Sequence, residues 1–230
     1  MSYLIRVLLP DEPGSLGSLA LCLGEAGADI SSVDVVETFP DGTVMDDLVV
    51  SVPNTVMADV IVSAAQEADG VLVDSIRPFS GRVDRRGQIV MLAEVAEQAA
   101  NHRRALEVLV GVLPRSMTST WAIALKASAP VNRVTASQAA PADDGKEHDS
   151  LPINTPRILN PRTEDWIPHA WALFDSALAA APLPGTDYVV IVGRTAGPDF
   201  LASEVSHLGN LAKVCGAILA GTQDAESPSD

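Results

Sequence analysis

Residues 4–16, LIRVLLPDEPGSL, decide the fold of the N-terminal part of the chain. The branched apolar run before Pro10 is typical of a β-strand. The Asp-Glu-Pro-Gly segment behind it predicts a turn. Leucine and alanine then recur every three or four residues up to Gly27, which predicts a helix that ends at that glycine.

The residues that follow extend this start into a complete pattern. Residues 32–39 alternate between polar and apolar side chains as a half-buried strand does, and Asp41-Gly42 indicates a tight hairpin. A returning strand, a second helix that stops at Gly70 and a fourth strand at 71–76 complete the order β-α-β-β-α-β. This order predicts a ferredoxin-like α+β domain over residues 1–80.

These residues resemble an ACT domain, one of the small regulatory modules that bind amino acids on metabolic enzymes. The likeness rests on residues 8–16, on Gly27-Ala28-Asp29-Ile30 and on the Asp41-Gly42 hairpin. It implies a ligand between two paired modules, held by the first strand–helix turn and by a polar residue just after the first helix. The ligand-binding residues that it implies are Asp11, Glu12, Pro13, Gly14, Leu16, Asp29 and Ile30.

The chemistry of this turn is independent of the family. A turn rich in proline and glycine leaves backbone N–H groups near a helix N-terminus, which suits a carboxylate. Asp11 and Asp29 supply acceptors for an α-ammonium group. The family often has an amide-bearing residue at these places and a polar residue at Leu9, so the identity of the ligand stays open. In the competing interpretation, Asp11 only begins a turn and Asp29 only satisfies a helix end.

The rest of the chain predicts a second domain. Its apolar residues step by three and four through a long helix that Pro114 ends, and again through a closing helix. The expected segments are a linker at 81–87, a helix at 89–113, strands at 121–127 and 131–136, a long loop at 137–161, a helix at 166–181, a strand at 188–194, a helix at 200–219 and a disordered tail at 222–230.

Residues 88–221 resemble a GAF-like domain, most clearly in Gly197-Pro198-Asp199-Phe200, Glu204, Leu208 and Leu211-Ala212. The resemblance implies an α/β sandwich that often holds a small molecule over its sheet. It also implies that the helices at both ends pair between subunits. We therefore expect a homodimer formed through the ACT sheets and through helices 89–113 and 200–219.

Composition excludes several classes of partner. The chain has 15 basic and 30 acidic residues, a net charge of −15. Residues 1–80 hold two basic and thirteen acidic residues. Such a surface repels nucleic acid and anionic lipid, and neither a membrane-spanning run nor a secretory leader is evident, so a cytoplasmic location is expected. Cys22 and Cys215 lie in apolar helical patterns, which predicts buried, unreactive thiols.

The sequence carries no motif that predicts catalysis, a cofactor or a metal site. It lacks a nucleotide-binding glycine loop and a nucleophile elbow, and its four histidines have no metal-ligand spacing. Asp46 and Asp47 adjoin on a strand and should point to opposite faces, so they do not predict a catalytic dyad. We expect a protein that is not an enzyme.

Three hypotheses follow. The leading one is a stand-alone regulatory or sensor protein that binds an amino acid at the ACT interface and passes the signal through the GAF-like domain. The alternative is an enzyme or small-molecule-binding protein with its site in the GAF-like half, around Arg194, Glu204 and His207. The third is a subunit whose paired helices regulate another enzyme or a transcription factor.

Overall fold

The computed structural model describes residues 1–79, 85–143, 145 and 148–225. The chain forms two compact units, Met1–Val83 and Asp84–Asp230. Each is built on an antiparallel sheet flanked by helices, so the predicted α+β class is confirmed. None of the helices in the described part of the chain is both long and apolar enough to span a bilayer.

The first unit has the predicted β-α-β-β-α-β order. Its sheet has the strand order β2-β3-β1-β4, and all neighbouring strands are antiparallel. Two helices pack on one face of this sheet. The elements are β1 Ser2–Pro10, α1 Ser15–Glu25, β2 Asp29–Thr38, β3 Thr43–Ser51, α2 Ala58–Glu67 and β4 Leu72–Pro78.

The core of this unit follows from the alternation of side chains along its two central strands. Every second residue of β1 and β3 faces the helices, and these residues are buried together with one side of each helix. Gly27 ends α1 with φ of +82°, which releases the chain into β2. The buried residues include Tyr3, Ile5, Val7, Leu9, Leu48 and Val50 of the strands and Leu19, Leu23, Ile61 and Ala65 of the helices.

The second unit is a five-stranded antiparallel sheet with the order β6-β5-β9-β8-β7. Three helices cover one face, and the chain between β6 and β8 covers the other. The elements are α3 Arg85–Glu97, α4 His102–Ser116, β5 Trp121–Lys126, β6 Asn132–Ala136, β7 Arg157–Leu159, a short 3-10 helix His169–Ala172, β8 Ala177–Leu183, β9 Tyr188–Arg194 and α5 Ala202–Ala225.

The prediction of one long helix over 89–113 was wrong. The chain breaks into α3 and α4, because Asn101 takes an extended conformation and its side chain accepts a hydrogen bond from the Arg104 N–H at 3.2 Å. Asparagine in that role is a strong helix start. Pro114 does not end the second helix either; it lies in the last turn before Met117.

The helix predicted over 166–181 was also wrong. Residues 177–183 form β8, which pairs with β7 on one side and β9 on the other. Ala179, Ala180 and Ala181 are fully buried there. Alanine favours helices in isolation, but its small side chain also fits where a sheet is covered on both faces, so tertiary packing overrides the local preference.

Three boundary predictions also need revision. The expected loop at 137–161 contains β7 and the buried Leu151 and Ile153, because this segment covers the second sheet. Within the expected linker at 81–87, residues 81–84 lie outside the described residues, and the last three residues belong to α3. Of the tail at 222–230, the first four residues belong to α5, and 226–230 lie outside the described residues.

Candidate functional site

The turn between β1 and α1 is exposed and built around a glycine. Gly14 stands at the N-cap of α1 with φ of +102°, a conformation that residues with a Cβ rarely adopt. It offers no side chain to cap the first turn, so that turn keeps N–H groups without a side-chain partner. Asp11 N–H donates to Gly42 O at 2.8 Å, which ties the turn to the β2–β3 hairpin. The turn thus presents backbone donors at the positive end of a helix dipole.

The predicted binding residues fall into two groups in the structure. Asp11, Glu12, Pro13 and Gly14 are all exposed, and the Leu16 side chain is 38% exposed. The second group is at the start of β2, where Asp29 is exposed and Ile30 is partly buried against the core.

One module does not bring these two groups together. Asp29 pairs with Ser51, which pairs with Ser2 at the start of β1, whereas Asp11 follows Pro10 at the end of that strand. The nine residues of β1 span roughly 26 Å at the usual rise of a strand. A small molecule therefore cannot touch both aspartates of one module.

Asp46 is the residue that the sequence analysis missed as a candidate. Its side chain belongs to the helix-covered face, and the residue is 3% exposed. Among the described residues, its Oδ1 atom has no hydrogen-bond partner. Desolvation raises the pKa of Asp46 above its ordinary value, and the nearby charges of Asp47 and Asp11 raise it further. The signal in the sequence was an acidic residue in the register of Val44 and Leu48.

Asp47 lies on the opposite face of the sheet, as predicted. It forms a buried, two-pronged ion pair in which Arg6 Nε and Nη2 donate to its two carboxylate oxygens at 2.7 and 2.8 Å. The two neighbouring aspartates therefore differ in chemistry. Asp47 is neutralised by an arginine, whereas Asp46 has an oxygen without a hydrogen-bond partner among the described residues and interacts with the charge of Asp11.

Two residues of the alternative site in the second unit, Arg194 and Glu204, are in direct contact. Arg194 is fully buried and its Nη2 donates to Glu204 Oε1 at 2.6 Å. Glu204 Oε2 in turn accepts from the Leu201 N–H at 2.9 Å, at the start of α5. The other acceptors around this guanidinium are Thr118 O and Oγ1, Met117 O, Pro198 O and Asp199 O.

These contacts give Arg194 a structural role, because the protein itself occupies its donors and the side chain has no exposed surface. His207 Nε2 lies 3.0 Å from Gln88 Nε2 of α3. In the described part of the chain, no group of three or more His, Cys, Asp or Glu side chains is placed to hold a metal ion.

The thiols differ from the prediction in one case. Cys215 is fully buried, as expected, and burial raises its pKa to about 11. Cys22 is only half-buried, because it borders a surface groove between α1 and α2.

Comparisons with known proteins identify no family. No protein-family model and no curated protein matches the chain. A formyltetrahydrofolate deformylase from Pseudomonas putida KT2440 aligns with a TM-score of 0.30 and 10% identity, over 44% of this chain and 39% of that one. This chain therefore matches well under half of the deformylase's length.

Two further solved structures align over more of this chain. The GAF domain of a protein described as a sensor histidine kinase from Pseudomonas syringae pv. tomato gives a TM-score of 0.40 and 12% identity, over 62% of this chain and 91% of that one. An unknown protein from Galdieria sulphuraria gives 0.32 and 12%, over 98% and 92%. TM-scores below 0.5 carry no argument about function, so any functional conclusion rests on the chain's own residues.

Proposed function

We propose that this chain is a regulatory protein whose ACT-like first unit binds a free amino acid between two copies of the module. In this proposal the second unit, with its GAF-like order of elements, passes the bound state on to a partner such as a regulated enzyme. The observation that carries the proposal is Asp46, a buried carboxylate with an unpartnered oxygen that is close enough to Asp11 of the β1–α1 turn for the two charges to interact.

The turn and Asp46 together match the two charged groups of an amino acid. The backbone N–H groups of the first turn of α1 suit the α-carboxylate. Asp46 and Asp11 supply acceptors for the α-ammonium group. Burial and then the charges of Asp47 and Asp11 raise the pKa of Asp46, and a bound ammonium group favours its ionised form. We therefore expect the site to prefer an amino acid with a free ammonium group and a neutral or basic side chain over an acidic amino acid.

Pairing of two modules is supported by the edge of the first sheet. β2 is an edge strand, and in the described part of the chain β3 is its only strand partner. Val33 and Val35 on this strand are 40% and 56% exposed. Exposed β-branched residues along an unpaired edge favour strand addition by a second copy.

The apolar faces of the helices that were expected to form the dimer pack into the core of the second unit. Leu106, Leu109 and Leu113 of α4 and Leu208 and Leu219 of α5 are buried in the core of their own unit. We therefore place the dimer contact at the first sheet.

Thermal unfolding of the full chain in the presence of each of the twenty amino acids tests the proposal. A ligand at one hundred times its dissociation constant adds about 2.7 kcal/mol of stability, which shifts the Tm by several degrees. We expect a shift with at least one amino acid, and its loss in Asp11→Asn, Asp29→Asn and Asp46→Asn. Asp74→Asn is the matched control, because Asp74 is an exposed carboxylate on β4, the other edge strand. The absence of a shift with all twenty amino acids contradicts the proposal.

Mixing two variants tests the shared site. Each dimer would hold two sites, each with Asp11 of one copy and Asp29 of the other. A mixed dimer of Asp11→Asn and Asp29→Asn has one site with both aspartates altered and one site with both intact. We expect the mixture to recover ligand binding that neither variant shows alone. If the mixture stays inactive while wild-type chains bind, the site does not lie between two copies.

A further inference from the structure

A small cavity lies on the loop-covered face of the second sheet. Its volume is about 30 Å³, room for about two water molecules or the carboxylate of a small ligand. Its apolar lining includes Leu125, Leu151, Trp166 and Trp171, and its polar lining includes Arg133, Asp143 and His148.

The polar atoms at this cavity that lack partners are all donors. Among the described residues, Arg133 Nε and Nη2 and Trp171 Nε1 are buried without a hydrogen-bond partner. Trp171 itself is 3% exposed. Native proteins rarely leave buried donors unpaired, so unpaired donors on two residues that line one cavity point to an acceptor that is not part of the chain.

The guanidinium of Arg133 makes a hydrogen bond through Nη1, whereas Nε and Nη2 have no hydrogen-bond partner among the described residues. Its Nη1 donates to Pro141 O at 2.8 Å, and its Cζ lies 6.0 Å from the ring centre of Trp171. Asp143 Oδ2 lies 3.7 Å from Nε, within the range of an ion pair but beyond a hydrogen bond. Asp143 therefore offsets part of the charge without occupying the donors.

The unpaired donors form the pair that binds a carboxylate elsewhere in this protein. Arg6 uses the same two atoms, Nε and Nη2, to hold both oxygens of Asp47. A guanidinium presents these two N–H groups in parallel, at the spacing of a planar carboxylate.

The wall beside this guanidinium is fixed. Trp166 Nε1 donates to Glu164 Oε2 at 3.0 Å, and Arg157 holds Glu164 through both carboxylate oxygens at 2.8 and 2.6 Å. The Trp166 and Trp171 rings meet edge to face with their centres 6.2 Å apart. The cavity thus combines a charged donor pair with indole and leucine surfaces.

We propose that this cavity is a second binding site, for a small monocarboxylate whose two oxygens accept from Arg133 Nε and Nη2. Trp171 Nε1 donates to the same ligand, and the short apolar part of the ligand lies against the indole and leucine walls. The site is independent of the amino-acid site proposed for the first unit.

Intrinsic fluorescence measures this binding directly, because all three tryptophans of the chain, Trp121, Trp166 and Trp171, pack in this part of the second unit. We expect formate, acetate or propionate to give a saturable change in the full-length protein. Acetamide and chloride at equal ionic strength should give none. The absence of a saturable change with all three carboxylates overturns the proposal and leaves water as the occupant.

Variants separate the donor pair from general charge. Arg133→Lys keeps the charge but loses the parallel donors, and we expect affinity to fall by about tenfold or more. Asp143→Asn removes a negative charge beside the ligand and should tighten binding several-fold. Arg103→Met removes an arginine whose side chain is 71% exposed and should leave affinity unchanged. Wild-type affinity in Arg133→Lys, with circular dichroism showing a folded protein, contradicts the proposed contact. If Arg133→Lys fails to fold, Trp171→Phe, which loses Nε1, is expected to weaken binding, and unchanged affinity there is also contradictory.

Discussion

The two units resemble each other in how they pair one buried arginine, but they differ in the sign of the charged group whose buried atoms stay unpaired. Each contains an arginine that the protein pairs fully, Arg6 with Asp47 in the first and Arg194 with Glu204 in the second. Each also contains a charged group with buried atoms that lack a hydrogen-bond partner among the described residues, and here they differ. In the first unit the atom is an acceptor, Asp46 Oδ1, and in the second the atoms are donors, Arg133 Nε and Nη2. The difference indicates that the first sheet is suited to a cationic group and the second to an anionic one.

The largest effect is expected from breaking the paired arginine of the second unit. Arg194→Met leaves Glu204 and several carbonyl oxygens near α5 without their donor, and loss of one partner of a buried pair destabilises by about 3–5 kcal/mol. Denaturation in urea measures the change. Arg103→Met should stay within about 0.5 kcal/mol of wild type. An equally small change in Arg194→Met would show that the cluster is not structural.

A half-buried ion pair should give an intermediate effect that depends on pH. The hydrogen bonds from Arg157 lower the pKa of Glu164 from 4.5 to about 2. Desolvation opposes this shift, and further hydrogen bonds from Asn160 and Trp166 add to it. A carboxyl with a lowered folded pKa stabilises the protein above its unfolded pKa, and that stability is lost as pH falls from 4.5 toward 2.

Glu164→Gln should therefore lower the free energy of unfolding at pH 7 by about 1–2 kcal/mol, after allowance for solvent screening of a partly exposed pair. The difference from wild type should shrink as pH falls toward 2. Denaturation curves at several pH values check this, and a difference that does not vary with pH contradicts it.

The first unit was predictable from sequence because each element carries its own local signal. Gly27 and the Asp41-Gly42 hairpin mark its boundaries, and apolar alternation marks its strands. In the second unit, Ala177–Leu183 became a strand because of its neighbours on both sides, which no local pattern encodes.

The candidate sites show the same limit. The exposed turn at Asp11 was found from its composition. Asp46 carried a weak sequence signal, an acidic residue in the register of buried apolar residues, and Arg133 stands out only through what surrounds it. An unpaired buried atom is a property of packing, and a sequence of residue types does not contain it.

A smaller effect, of the opposite sign, is expected at Asp46. Its folded pKa is raised by burial and then by Asp47 and Asp11, so its ionisation opposes folding increasingly as pH rises above the ordinary value of 3.8. Asp46→Asn should raise the free energy of unfolding at pH 7 by about 1 kcal/mol. The gain should vanish near pH 3, and urea denaturation at both pH values measures it. A variant less stable than wild type at pH 7 shows that Asp46 has a stabilising partner.

The smallest effect concerns the two cysteines in the helices of the two units, where we expect a difference in thiol reactivity and none in stability. Cys22 borders the groove between two helices, whereas Cys215 of α5 is fully buried in the core between the helices and the second sheet, and burial raises its pKa to about 11. The thiolate is the reactive form, so both its low population and its burial protect Cys215. In the native protein a colorimetric disulfide reagent should label Cys22 readily and Cys215 at least about a hundredfold more slowly, because Cys215 reacts only when the unit opens. Cys22→Ser should abolish the fast phase, and guanidinium should expose both thiols. Equal rates for the two thiols in the native protein would mean that the second core opens far more often than its packing indicates.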